Sequence, residues 1–115
     1  MSEGVIKKSN ETIAFVPIRE GPWTGSSLAE VFPTDGSTKM ACGIHTIPSS
    51  RTTVHNPPVD DVLYILDGEM DIVSEGVAAH FKKGDFAYLR AGVPQTFIVH
   101  QQVTHVYVTY PCQWK

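Results

Sequence analysis

Short stretches rich in Val, Ile, Phe, Tyr and Thr recur along the chain at residues 12–17, 27–32, 39–47, 62–66, 70–74, 78–81, 86–89, 95–99 and 103–110. Pro or Gly punctuates them about every eight to twelve residues, and no long window holds an apolar i, i+3, i+4, i+7 pattern. That spacing predicts an all-β chain of about nine strands, closed as a sandwich or barrel. Asp67-Gly68 between two alternating runs predicts a tight hairpin, because glycine tolerates the positive φ such a turn requires. Glu75-Gly76, Lys83-Gly84-Asp85 and Ala91-Gly92-Val93-Pro94 predict further reversals. Residues 48–60, polar and rich in proline, are expected to leave the sheet as a loop beside the barrel mouth, where binding residues concentrate.

At 115 residues, 42% apolar and 18% charged, the chain suits one compact domain with its own core, residues 1–10 forming a frayed or strand-pairing arm. A formal charge of −3 with scattered Lys and Arg excludes a nucleic-acid footprint. No apolar run approaches the roughly 20 residues that span a bilayer, and no leader is apparent, so the expected partners include no membrane and the expected location is cytoplasmic. Two cysteines, Cys42 and Cys112, are too few for a disulfide scaffold.

Asp60 and Asp61 precede the run 62–66, and strand alternation lets only one of them face inward. His45 alternates with Gly43 and Ile47, so it faces inward if Gly43 does. His105 alternates with Tyr107 and Thr109, opposite Val106, Val108 and Tyr110, and the pattern leaves open which set lines the interior. Tyr64 and Tyr88 are expected in the core. Trp23, in the loop 20–25, is expected to fold over one end of the barrel as packing or a dimer anchor.

The order of a His-containing loop, an acidic residue before an aliphatic strand, Asp67-Gly68, Lys83-Gly84-Asp85 and a Gly92-to-Pro94 turn resembles a cupin over residues 40–110. Laid on the cupin motif G-x5-H-x-H-x3,4-E-x6-G, Asp61 takes the Glu position, with Gly68 after six residues, and His55 and Pro57 take the His positions. On G-x5-P-x-G-x2-H-x3-N, Gly84 and Gly92 match, while Arg90, Gln95 and Val99 stand for Pro, His and Asn. The ending Val106 to Trp114 and the hairpin Val62 to Glu69 are similar to the cupin domain of ethanolamine-utilisation Q proteins, which share a degraded metal motif.

The resemblance implies a single cupin or jelly-roll barrel, a homodimer, and a pocket between residues 49–61 and the Gln95 strand. It also implies a divalent transition metal (Fe, Mn, Ni or Zn) held by His55, Asp61 and some of His45, Gln95 and His105. On that reading the metal polarises a small polar or cyclic substrate for a lyase, isomerase or dioxygenase reaction. Asp61 and His55 move protons, and Gln95, Arg51 and Tyr107 orient the substrate. The alternative is a metal-free barrel that binds a small molecule or a partner, or works by acid/base chemistry alone.

Overall fold

A computed structural model describes residues 4–112. Seven strands form one sheet: β1 (Val16–Pro17), β2 (Ser27–Phe32), β3 (Ala41–Val54), β4 (Asp60–Ser74), β5 (Val77–Lys82), β6 (Phe86–Leu89) and β7 (Gln95–Tyr110). The order is β1-β2-β3-β7-β4-β5, with β6 on the first half of β4, and every pairing is antiparallel. This is the cupin or jelly-roll architecture. No helix among the described residues is long and apolar enough to cross a membrane.

Three long strands replace five expected short ones, and each lengthening has a physical cause. Asp67-Gly68 is a bend inside β4, where pairing with β7 shifts register between Ile65 and Asp67 and again between Gly68 and Asp71. Gly68 has φ +80°, and a Cβ there would lie 2.0 Å from the Gln102 carbonyl oxygen, so the glycine lets β7 pass against the bend. The hairpin is one turn later: Ser74 pairs with Val77, and Glu75 (φ 52°) and Gly76 (φ 77°) supply the two positive dihedrals of a type I′ turn.

β3 likewise runs on through the segment expected as a loop. Pro48 sits at a register shift against β7, and β2 pairs only with residues 42–46 of β3. The second half of β3 is therefore an edge, where a missing N–H and exposed polar side chains such as Arg51 are tolerated. Only residues 55–59 leave the sheet before β4. Residues 100–102, between two strands expected as separate, continue β7, where Pro48 pairs with Gln102.

The core gathers Ile47, Leu63, Ile65, Met70, Ile72, Phe97, Val99, Val103 and Tyr107, all at most 5% exposed. The outer face is also apolar. Phe86, Tyr64, Val106 and Ile44 align across β6-β4-β7-β3, as do Tyr88, Val62, Val108 and Cys42. Tyr88 is thus an exposed residue of this face, and Tyr64 packs there against Phe86 at 4.7 Å between ring centroids, outside the core expected for both.

Candidate functional site

Strand alternation sorts the chemistry between the two sides of the sheet. On β4, Asp61, Leu63 and Ile65 turn inward. Asp60 stays outside, accepting from the Tyr88 hydroxyl and from the Ala91 backbone N–H at 2.7 Å. On β7 the inward set is His105, Tyr107 and Thr109, all buried. Pairing across β3, β7 and β4 then builds three interior rungs: His45–His105–Ile65, Gly43–Tyr107–Leu63 and Ala41–Thr109–Asp61. Gly43 is required by the middle rung, since a Cβ would fall 2.5 Å from the Tyr107 hydroxyl and 2.4 Å from the Ala29 carbonyl oxygen.

Two small cavities occupy the barrel. One, of about 60 Å³, is walled by Ile18, Trp23, Leu28, Leu63 and Phe97 together with the polar groups of His45, Asp61, His105 and Tyr107. The second, of about 70 Å³, lies toward Pro57, Val59, Leu89 and Gln95. Trp23, Asp61 and Phe97 belong to both walls. The indole of Trp23 stands edge-on to Phe97 at 4.8 Å and to His45 at 5.0 Å between centroids, dividing the interior.

Trp23 is delivered by a closed loop, residues 18–26. Its ends are joined by Ile18 N–H to Ser26 carbonyl at 2.9 Å and Gly25 N–H to Ile18 carbonyl at 3.1 Å. Gly21 (φ 84°) and Gly25 (φ 95°) give the chain the left-handed conformations that flank the tryptophan. Ser26, buried at the loop's end, meets His45 Nε2 through its hydroxyl at 2.7 Å.

Burial dominates the electrostatics. It lowers His45 to about 3, reinforced by the neighbouring His105 ring, and lowers His105 to about 4, so both imidazoles are neutral near pH 7. Burial pushes Asp61 up to about 7, against a backbone hydrogen bond from Val108 that favours the carboxylate. Asp61 Oδ1 is sealed from solvent with no hydrogen-bond partner among the described residues. Tyr107 is pushed above its ordinary range by burial, with Glu30, Cys42 and Asp61 adding to it.

The structure brings His45, Asp61, His105 and Tyr107 to one cavity and Asp61 with Gln95 to the other. It does not bring His55 or Arg51 to either: His55 lies exposed in the bend after β3, and Arg51 is exposed on the β3 edge. The expected set His55, Asp61, His45, Gln95 and His105 is therefore not assembled. The two histidines share a rung, whereas Asp61 pairs with Thr109, four residues along β7 from His105, or roughly 13 Å at the strand rise. At the cupin motif positions stand Pro57, the Asp61 carboxyl, exposed His55, and a Gln95 amide whose Nε2 donates to the Arg90 carbonyl at 3.2 Å.

No group of three His, Cys, Asp or Glu side chains among the described residues is placed to hold a metal ion. One carboxyl and one committed amide do not make a transition-metal site. These residues do not fit the metal that the fold family implies.

Sequence reasoning missed Ser26 and gave Trp23 only a packing or dimer role. The signal available was Gly21-Pro22-Trp23-Thr24-Gly25, a turn-rich stretch carrying one large aromatic. Trp114, the end of the segment similar to ethanolamine-utilisation Q proteins, lies outside the described residues.

A family model described as "Ethanolamine utilisation protein EutQ" matches residues 19–115. A protein named acetate kinase EutQ, from Clostridioides difficile (strain 630), is 26% identical over 85 residues, 74% of this chain and 54% of its own length. The chain thus spans about half of that curated relative. Among solved structures, an ethanolamine utilization protein Q from Salmonella typhimurium LT2 superposes with a TM-score of 0.78 at 19% identity, covering 91% of this chain and 85% of that one. The iron(II) form of HppE superposes with a TM-score of 0.75 at 13% identity, covering 96% and 62%. At such identities the structural likeness establishes the shared fold.

Proposed function

The chain belongs to the ethanolamine utilisation protein EutQ family, and from that premise we propose that its barrel binds a small cyclic or conjugated metabolite and moves a proton on it without a metal. The observation that carries this reading is the solvent-sealed, unpartnered Asp61 Oδ1 in an apolar cavity that also holds two neutral imidazoles. A protonated Asp61 donates to a ligand oxygen, and the imidazole pair takes a proton from the ligand's other end. The net change is an isomerisation in which one proton enters and one leaves. The separation of the two ends favours a ring or conjugated chain that relays charge between them.

Size supports a moving wall. An apolar cavity of about 150 Å³ holds benzene, whereas this one is about 60 Å³. A ring-sized ligand therefore enters when Trp23 withdraws and the two cavities join. The acetate kinase activity in the Clostridioides relative's name stays with that protein, of which this chain spans about half.

Solvent deuterium exchange into small cyclic ketones and enones, followed by ¹H NMR, tests the proposal. Exchange is expected to be greatest between about pH 4, below which the His105 imidazole charges, and about pH 7, above which Asp61 loses its proton. Asp61→Asn and His105→Gln are each expected to slow it on the order of 10²-fold or more. Exchange unaffected by either substitution would overturn the proposal, as would a stoichiometric transition metal that copurifies and is lost in Asp61→Asn.

The homodimer implied by the family resemblance also belongs to this proposal. Phe86 is 68% exposed, Tyr88 58% and Tyr110 59%, on a sheet face whose composition suits burial on both sides. Light scattering on a sizing column is expected to give twice the chain mass for the wild type and one chain mass for Phe86→Glu. A monomeric wild type across the micromolar range would count against it.

A further inference from the structure

Counting protons at Ser26 assigns a state to His45. The Ser26 hydroxyl has one proton and two close neighbours: the Trp23 carbonyl oxygen at 2.6 Å and His45 Nε2 at 2.7 Å. A carbonyl oxygen only accepts. If the hydroxyl gave its proton to His45, its lone pairs would face those of the Trp23 oxygen at 2.6 Å, which is repulsive. The arrangement that satisfies both contacts has Ser26 donating to Trp23 and His45 Nε2–H donating to Ser26. The ring's one lone pair is then on Nδ1.

His105 is set the other way. Its Nδ1 lies 3.2 Å from the Val106 carbonyl oxygen, so Nδ1 carries the proton and Nε2 the lone pair. Two cross-strand imidazoles, 5.3 Å apart between centroids, thus hold opposite tautomers, each fixed by a partner outside the cavity.

We propose that Ser26 is a positioning residue that reports the seating of the 18–26 loop to His45, locking the ring as the Nε2–H tautomer so that Nδ1 is available as base only while Trp23 is in place. The Trp23 carbonyl is the group that orients the Ser26 hydroxyl. When the loop lifts, that acceptor leaves, the hydroxyl is free to donate to His45 instead, and the ring can exchange tautomers. The loop that admits a ligand would thereby also switch the base, so that the ring is set for proton transfer only after closure. This regulatory part rests on the proton-transfer reading above; the tautomer assignment does not.

Long-range ¹H–¹⁵N correlation spectra of the full chain labelled at histidine nitrogen read the tautomers directly, with His45→Gln and His105→Gln assigning the signals. The expected result is Nε2–H for His45 and Nδ1–H for His105. Ser26→Ala is expected to give His45 a mixture of tautomers while His105 is unchanged, and Ser26→Thr to restore the single form. A wild-type His45 protonated on Nδ1 would overturn the proposal without recourse to any variant, and so would an unchanged tautomer in folded Ser26→Ala.

The same variants are carried through the deuterium-exchange assay. A fall in maximal exchange rate on the order of tenfold in Ser26→Ala, with unchanged half-saturation, would support control of the base. If the tautomers behave as expected but no protein catalyses exchange, the positioning role stands and the proton-transfer reading falls.

Discussion

Gly68→Ala is expected to lower stability by about 3–5 kcal/mol and Tm by roughly 10–20 °C, measured by urea and thermal unfolding. Two effects act together. The φ of +80° is one that an L-side chain adopts only with strain, worth about 1–2 kcal/mol. The added Cβ would also lie 2.0 Å from the Gln102 carbonyl oxygen, and that oxygen is backbone of β7 and cannot turn aside. Gly76→Ala provides the comparison: its φ is similar at +77°, but no atom lies within 4 Å of the added carbon. Only the conformational cost is expected there. Equal losses in the two variants would show that the bend in β4 yields to the contact.

The second large effect is a pH dependence that Asp61 imposes. Its folded value is about 7 against 3.8 for the free group, so between these limits the native state holds a proton that the unfolded chain has released. Stability therefore falls as pH rises through this window, by at most roughly 4 kcal/mol in all. His45 and His105 act in the opposite sense, since their folded values of about 3 and 4 lie below 6.5. Their contribution is fully present above pH 6.5 and is lost as pH falls toward 3. With two imidazoles against one carboxyl, wild-type stability is expected to rise from pH 4 to a maximum near 6.5 and then to decline to a plateau above 7.

Asp61→Asn removes only the acid's share. Its stability is expected to climb more steeply between pH 4 and 6.5 and not to decline afterwards. The difference from wild type should grow in the variant's favour by up to roughly 4 kcal/mol from pH 4 to pH 8. Urea midpoints at pH 4, 6 and 8 check this, and a difference independent of pH would show that Asp61 is not held neutral by burial.

Much of this molecule is legible in its alternation. β2 was delimited at 27–32 from composition and turn signals, and the all-β class followed from the punctuation of Gly and Pro. What local pattern could not show was partnership. Asp67-Gly68 has the chemistry of a hairpin whether or not the chain reverses, and here the presence of β7 alongside made it a bend. The segment after Pro48 looked unlike a strand because interior strands are apolar, but a half-strand paired on one side has no such requirement.

The candidate site shows the same division. Alternation put Asp61 opposite in sense to Asp60, and joined His45 to Gly43, but the inward face of β7 depended on pairing across three strands. Motif spacing selected His55, whose local sequence suits a cupin ligand, and nothing local records that the bend after β3 leaves it exposed. Trp23 and Ser26 reach the barrel interior through a loop whose closure is invisible until the strands it caps are in place.

The position of β7 has a consequence for how the chain is made. It is the last strand of the described chain and also the shared neighbour of β3 and β4 along nearly their whole lengths. Contacts such as Ile44 with Val106 join segments remote in sequence, a topology that folds slowly. During synthesis, β3 and β4 emerge as long strands, apolar along much of their length, with no common partner, and the interior cannot close until residues 95–110 have been added. A nascent chain at that stage exposes unpaired edges, the condition under which incompletely folded chains associate.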